Sequence, residues 1–263
     1  MTEKRISALV LAGSRPGPDP LLQNPQLNPS GASTKALLPI AGVPMLAHVL
    51  RALRASPHIG SITILAQDTA SLAADPSISS VTDVIFAVSG QGISTSLAAA
   101  LADRDEPVLV TTADHVLLTP QMVAEFVAGA ANSDVAVGMV ERKNLLAAYP
   151  ESRRTWLKFR AGWWSGANLF WLHGPKVQPL LSFWSGIERD RKKGRKIIAA
   201  FGPFLMIGAL LRLFTAQQGI KRAGARFGVQ AQLVPMSAPE ACIDADKPDD
   251  IRLIEQILAQ RAG

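Results

Sequence analysis

The chain has 263 residues, 48% of them hydrophobic and 18% charged, enough apolar side chain for a substantial core and a composition that excludes a disordered protein. One cysteine, Cys242, excludes an intramolecular disulfide and fits a reducing, cytoplasmic compartment; with four scattered histidines it leaves no zinc-ligand spacing. The net charge of +6 is uneven: ten Lys or Arg stand against one Asp between Arg189 and Arg226, a local +9 beside a remainder of about −3, which points to an anionic partner.

Lys4 and Arg5 precede an apolar run, Ile6 to Ala12, too short for a convincing signal peptide and better read as a first buried strand. The run stops at Gly13-Ser14-Arg15. About twenty residues rich in Pro, Asn, Gly and Ser then lead to Lys35, a structureless length that points to a functional loop, read as a flexible lid. "MLAHVLRALRAS" places Met45, Leu46, Val49, Leu50 and Leu53 on one helical face and arginines on the other. "ITILAQ" and "DVIFAV" read as strands, and "STSLAAALAD" as a helix whose hydroxyls suit its N-cap. "PVLVTTAD" is a strand ending in polar residues, "TPQMVAEFVAGAA" a helix with Pro near its first turn, and "DVAVGMV" another strand. This alternation predicts an α/β fold, a mostly parallel sheet covered by helices on both faces. Ligands bind beyond the carboxyl ends of such strands, which selects the loops after Leu11, Val88 and Thr112.

The pattern changes after Glu141. All five tryptophans fall between Trp156 and Trp184, and "FRAGWWSGANLFWL" reads as a Gly-punctuated strand pair. "SFWSGIERDRKKGRKIIAAFGPFLMIGALLRLF" reads as one or two helices, "VQAQLVPM" as a strand, and "PDDIRLIEQILAQRAG" as a terminal helix opened by Pro248 and two acids. The expectation is one domain over 1–263, with an aromatic and basic insertion at about 145–228. The apolar stretch Ile197 to Leu211 has fifteen residues, short of the roughly twenty that span a bilayer. Residues 189–215 therefore read either as a segment lying on an anionic membrane surface or as a buried helix with a solvated basic end. Specific nucleic-acid binding is not expected, because no aromatic-bearing motif accompanies the charge.

Three loops carry candidate chemistry. Gly13, Ser14 and Arg15 would let backbone N–H groups approach phosphate oxygens, with Lys35 as a second cation; neither a P-loop nor a dinucleotide fingerprint is present. Ser89 to Leu101 combines two glycines with a hydroxyl-rich helix start. Asp114, just past a strand, suits Mg²⁺, a hard cation that takes oxygen ligands. Late in the chain, "CIDADKPDD" supplies Asp244 and Asp246, either as two ligands on one extended face or as one ligand beside a solvated neighbour. Arg153, Arg154, Lys158 and Arg160 interleave with Trp156 and Phe159.

In order, "LVLAGSRP…K…LLPIAGVPMLAHVL", "GQGISTSLAAAL", "VLVTTADHVLLTP" and "IDADKPDDI" resemble the blocks of the MobA-like nucleotidyltransferases, which have a GT-A-like, Rossmann-like fold. The resemblance covers about residues 6–140 and 230–258. It implies that Leu11, Ala12, Gly13, Ser14 and Arg15 cradle base and triphosphate while Lys35 balances charge. Gln91, Gly92 and Ser96 would lie against base or ribose, and Asp114 would bind Mg²⁺ with Asp246 or Asp244. It further implies that Lys158 grips an acceptor phosphate and Asn168 adds a polar contact; alternatively the aromatics there form a subsidiary core under solvated arginines. The implied reaction is attack of a phosphorylated small-molecule or lipid-linked acceptor on the α-phosphorus of an NTP, giving an NDP-linked product and pyrophosphate. A GT-A glycosyltransferase using an NDP-sugar and a catalytically degenerate nucleotide-binding regulator are the alternatives. The sequence departs from the family at Ala12-Gly13, at Arg15-Pro16-Gly17, at His115 and at Lys247, and its Arg15-to-Lys35 gap is long.

Overall fold

A computed structural model describes residues 5–14, 17–90, 92–189 and 211–262. Arg15, Gln91 and most of the basic, apolar segment 189–215 lie outside the described residues, and with them the membrane-surface reading of that segment.

The first half builds the alternating pattern. Strand β1 (Ile6–Leu11) leads through the long loop to a small hairpin, β2 (Pro39–Ile40) and β3 (Val43–Pro44), and then to α1 (Met45–Ala55). Strand β4 (Ile59–Ala66), short helices α2 (Thr69–Ala74) and α3 (Pro76–Ser79), β5 (Val84–Val88), α4 (Ile93–Leu101), β6 (Pro107–Thr112), α5 (Pro120–Ala130) and β7 (Val135–Glu141) follow. The second half adds α6 (Arg142–Ala148), the hairpin β8 (Leu157–Phe159) and β9 (Gly162–His173), α7 (Gln178–Arg189), α8 (Ala216–Ala225), β10 (Ala231–Pro235) and α9 (Pro248–Ala262).

Apart from β2 and β3, which pair only with each other, these strands form one eight-stranded sheet in the order β10-β7-β9-β6-β1-β4-β5, with β8 on β9, and the pairings that follow are those within it. All pairings are parallel except those of β9, which runs against β6, β7 and β8. The mostly parallel sheet with helices on both faces is thus the one the alternation predicted. The "FRAGWWSGANLFWL" strand pair is also present, and its long arm β9 lies inside the sheet rather than on its margin.

Period-two alternation explains the burial. Ala8 and Val10 of β1 face a core shared with α1, α5 and α9, whereas Leu9 faces a second core with Leu97, Leu101 and Leu181 of α4 and α7. The helical face read for α1 is fully buried at Met45, Leu46, Val49, Leu50 and Leu53. β5 is an edge strand, which leaves Ile85 and Val88 exposed.

Two local readings need correction. The long loop is not structureless: Leu21 is buried in the main core, and Gln23, Leu27, Asn28 and Gly31 donate turn hydrogen bonds. The Asn28 amide also brackets it, accepting from Ala32 N and donating to the carbonyls of Leu22 and Ala32. An apolar anchor amid Pro and Asn outweighed the composition. The hydroxyls opening α4 do not cap it either; its N-cap is Gly92, and Thr95 and Ser96 donate back to the Gly92 carbonyl.

Candidate active site

The carboxyl ends of β4, β1 and β6 are adjacent and in register, Leu65 and Thr112 both pairing with Leu11. Ala12 N donates to the Leu65 carbonyl and Ala113 N to that of Leu11, so the backbone ladder carries each chain past its strand into the site. At the end of β4, the Gln67 amide clamps the first loop: Ser14 N donates to its Oε1 at 2.9 Å, and its Nε2 donates to the Ser14 carbonyl at 3.3 Å. A Cβ at Gly13 would sit 3.0 Å from that amide, so a larger residue there would crowd the clamp. Sequence reasoning missed Gln67. The signal was a polar residue closing a parallel strand, which means little until its neighbour is known. Gln67→Ala should leave stability within about 1 kcal/mol, because exposed hydrogen bonds contribute little, yet weaken triphosphate binding several-fold by freeing Ser14. Unchanged NTP affinity in a titration would remove Gln67 from the site.

Lys35 is delivered by a single 3-10 turn, Lys35–Leu37, whose Ala36 is buried. Its Nζ donates to Asp114 Oδ2 at 3.1 Å and to Asp246 Oδ1 at 2.7 Å. Residues 79 and 211 positions apart thus meet on one ammonium. Burial works against that charge but is outweighed by Asp114 and Asp246, so the Lys35 pKa is raised. Asp114 is fixed further by Thr112, whose hydroxyl donates to Oδ1 at 2.5 Å. Ala245 N donates to the Asp114 carbonyl at 3.1 Å, which ties the C-terminal acidic loop to the end of β6.

Asp244 is placed differently from Asp246. Its carboxylate pairs with Arg154, which also pairs with Asp250. Burial first, then the nearby Asp246 charge, push the Asp244 carboxyl up to about 6 against the opposing pull of Arg154. The sequence left Asp244 or Asp246 open as the partner of Asp114; the geometry brings Asp246 to the shared cation and commits Asp244 to Arg154. Neither this role of Arg154 nor Asp250 was read from the sequence. Arg154 is not a solvated arginine, since its side chain is 6% exposed.

Among the described residues, no group of three or more His, Cys, Asp or Glu forms a ready metal cage. Two carboxylates converging from separate loops nevertheless fit Mg²⁺, which binds through one or two carboxylates plus waters and phosphate oxygens. His115 takes no part. It is buried, pushed down to about 4 by that burial and hence neutral, with Nδ1 3.3 Å from the Thr111 hydroxyl.

In the second loop, the Ser96 Oγ accepts from Gly90 N at 2.9 Å and donates to the Gly92 carbonyl at 2.8 Å, so it knits the loop together. In the β8–β9 hairpin, Lys158 is exposed, its Nζ 4.3 Å from the Trp163 ring centroid, with the Arg142 guanidinium 5.1 Å from the same ring. Phe159 and Trp164 instead pack with Met139, Ala216 and Leu233. The hairpin therefore has a small aromatic core on one side and a cation-bearing Trp on the other. Asn168 sits at a left-handed φ of 49°, beside the register shift of β7 on β9 and next to Leu169, which pairs with Thr111. That position is at the site end of β6.

Cys242 is buried in the main core, its thiol pushed up to about 12 by burial. It should therefore resist a thiol reagent at pH 8 in the folded protein and react once denatured. Fast labelling of the native chain would contradict this burial.

A family model for the MobA-like NTP transferase domain matches residues 28–223. No curated relative matches the sequence. Among solved structures, a hypothetical transferase from Thermus thermophilus is 25% identical, with a TM-score of 0.75 over 94% of this chain and 99% of that one. A 4-diphosphocytidyl-2C-methyl-D-erythritol synthase from Anaerococcus prevotii DSM 20548 is similar in fold, at 9% identity and a TM-score of 0.60 over 98% of this chain and 97% of its own. So is a CMP:2-keto-3-deoxy-manno-octonic acid synthetase complexed with CTP, at 12% identity and a TM-score of 0.58 over 98% and 99% of the two chains. With most of its length matched by the family model, and with Lys35, Asp114 and Asp246 meeting at the carboxyl edge of a sheet of this architecture, the chain belongs to the MobA-like NTP transferase domain family.

Proposed function

We propose that this chain is a nucleotidyltransferase that moves an NMP group from an NTP to a phosphorylated acceptor, releasing pyrophosphate. The observation that carries the reading is the Lys35 ammonium held between the Asp114 and Asp246 carboxylates at the end of β6, the strand paired with the end of β1. An acceptor phosphate oxygen attacks the α-phosphorus, the bond from that phosphorus to the α–β bridging oxygen breaks, and pyrophosphate leaves with the electron pair. The nucleophile is already an anion, so the protein needs no side-chain base. It needs positioning and charge balance.

Bound Mg²⁺ would supply Lewis-acid neutralisation of the phosphate oxygens, held by Asp114 and Asp246. Lys35 is a cation already at the site, able to exchange carboxylate partners for triphosphate oxygens. The Ser14 backbone, fixed by Gln67, would hold the Gly13-Ser14 loop against the phosphates. Arg15 would add charge there, and Gln91 and Gly92 would border the base or ribose. The cation-bearing face of the β8–β9 hairpin, with Lys158, and the left-handed Asn168 would receive the acceptor.

Equilibrium binding tests the reading. With Mg²⁺, one of the four common NTPs, CTP being the first to try, should bind at least tenfold more tightly than any NDP-sugar. Preference for an NDP-sugar would favour a glycosyltransferase instead.

A further inference from the structure

We infer that Arg154 is a positioning residue for the metal carboxylate Asp246: its buried guanidinium holds the loop 244–250 so that Asp246 faces Asp114. The inference rests on the proposed nucleotidyltransferase reading. Arg154 lies in the irregular segment between α6 and β8, a stretch with no helix or strand to fix it. Its guanidinium nevertheless reaches across to both ends of the acidic loop, pairing with Asp244 at one end and Asp250 at the other. Its Nη1 also lies 3.4 Å from the Asp244 carbonyl.

Around that cation the loop closes on itself. Asp246 N donates to the Asp244 carbonyl at 3.1 Å, and Lys247 N donates to Asp250 Oδ2 at 3.1 Å. Between them, Ala245 N donates to the Asp114 carbonyl. Asp246 is therefore flanked on each side by a residue held, directly or through a backbone bond, by Arg154 or by the Asp114 backbone. Its own side chain is left half-exposed toward Lys35, with 53% of its surface accessible.

Stability alone does not account for this arrangement. A buried ion pair is weak evidence for stability, because desolvation offsets the attraction. Holding a ligand loop in register gives that cost a purpose, as outer-shell partners of metal ligands commonly do.

Charge and geometry make opposite predictions for Arg154→Met, which keeps most of the length and loses the cation. If Arg154 only contributes positive charge near the carboxylates, removing it should tighten binding of a divalent cation. If it positions Asp246, binding should weaken. Mn²⁺ is the probe, its free concentration read by electron paramagnetic resonance with the full-length protein, without nucleotide. Folding is followed by circular dichroism and the thermal midpoint. The inference expects Mn²⁺ affinity to fall about tenfold or more, within the range typical of outer-shell losses. Arg154→Lys should recover part of it, and Asp250→Asn, which cuts one arm, should lose a smaller part. Should Arg154→Met fail to fold, the Lys and Asn variants carry the test. Equal or tighter Mn²⁺ binding in the folded variants overturns the inference and leaves the proposed function standing. A native protein that binds no Mn²⁺, alone or with an NTP, overturns the metal reading and this inference with it.

Discussion

Asp114→Asn should leave the protein folded and abolish most of its turnover. The side chain is partly exposed at a strand end, not packed in a core, and the Ala245 hydrogen bond uses the Asp114 backbone, which the substitution keeps. Lys35 would retain Asp246 as its partner. Asp114 also repels the partly buried Asp244 carboxylate, a penalty that a neutral amide removes and that offsets part of the lost pairing with Lys35. Activity is a different matter, because an amide is a poor substitute for a carboxylate on a hard cation. Losing an outer-shell partner typically costs roughly 10–100-fold, so a direct ligand should cost at least about a hundredfold. Pyrophosphate release and the thermal midpoint, measured on the same preparation, test both halves. Near-native turnover at saturating Mg²⁺ would exclude the metal role.

Lys35→Met should have two effects of opposite sign. Its ammonium bonds both carboxylates, so in the free protein it occupies ground a cation would take. Removing it should raise the affinity for Mn²⁺ alone. The same change removes a charge-assisted contact to the triphosphate, worth about 1.5–3 kcal/mol, so NTP binding should fall roughly tenfold to a hundredfold. Affinity for the bare nucleoside should barely move. Calorimetry with the three ligands separates these effects. Equal losses for NTP and nucleoside would mean that Lys35 does not read phosphate.

Lys35, Asp114 and Asp246 were legible because each sits next to a local signal: a loop end, a strand end, a short acidic motif. What brings them together was not. Gln67, Arg154 and Asp250 act on partners 53, 90 and 96 positions away, and no periodicity within a window reveals such a pair. The sheet was readable for the opposite reason. Alternating apolar residues record burial on two faces locally, as Ala8, Leu9 and Val10 do. Ser96 illustrates the limit: whether a hydroxyl at a helix start bonds back onto its own loop is decided only by the fold. Leu21 shows the converse, since one buried leucine orders a loop whose composition looks disordered.

The most direct measurement is pyrophosphate release from each of the four common NTPs, with Mg²⁺ and a panel of phosphorylated acceptors. The account predicts release with one NTP that requires both Mg²⁺ and a particular acceptor and is lost in Asp114→Asn. Nucleotide binding without pyrophosphate release across the whole panel would contradict it and favour a degenerate nucleotide-binding regulator.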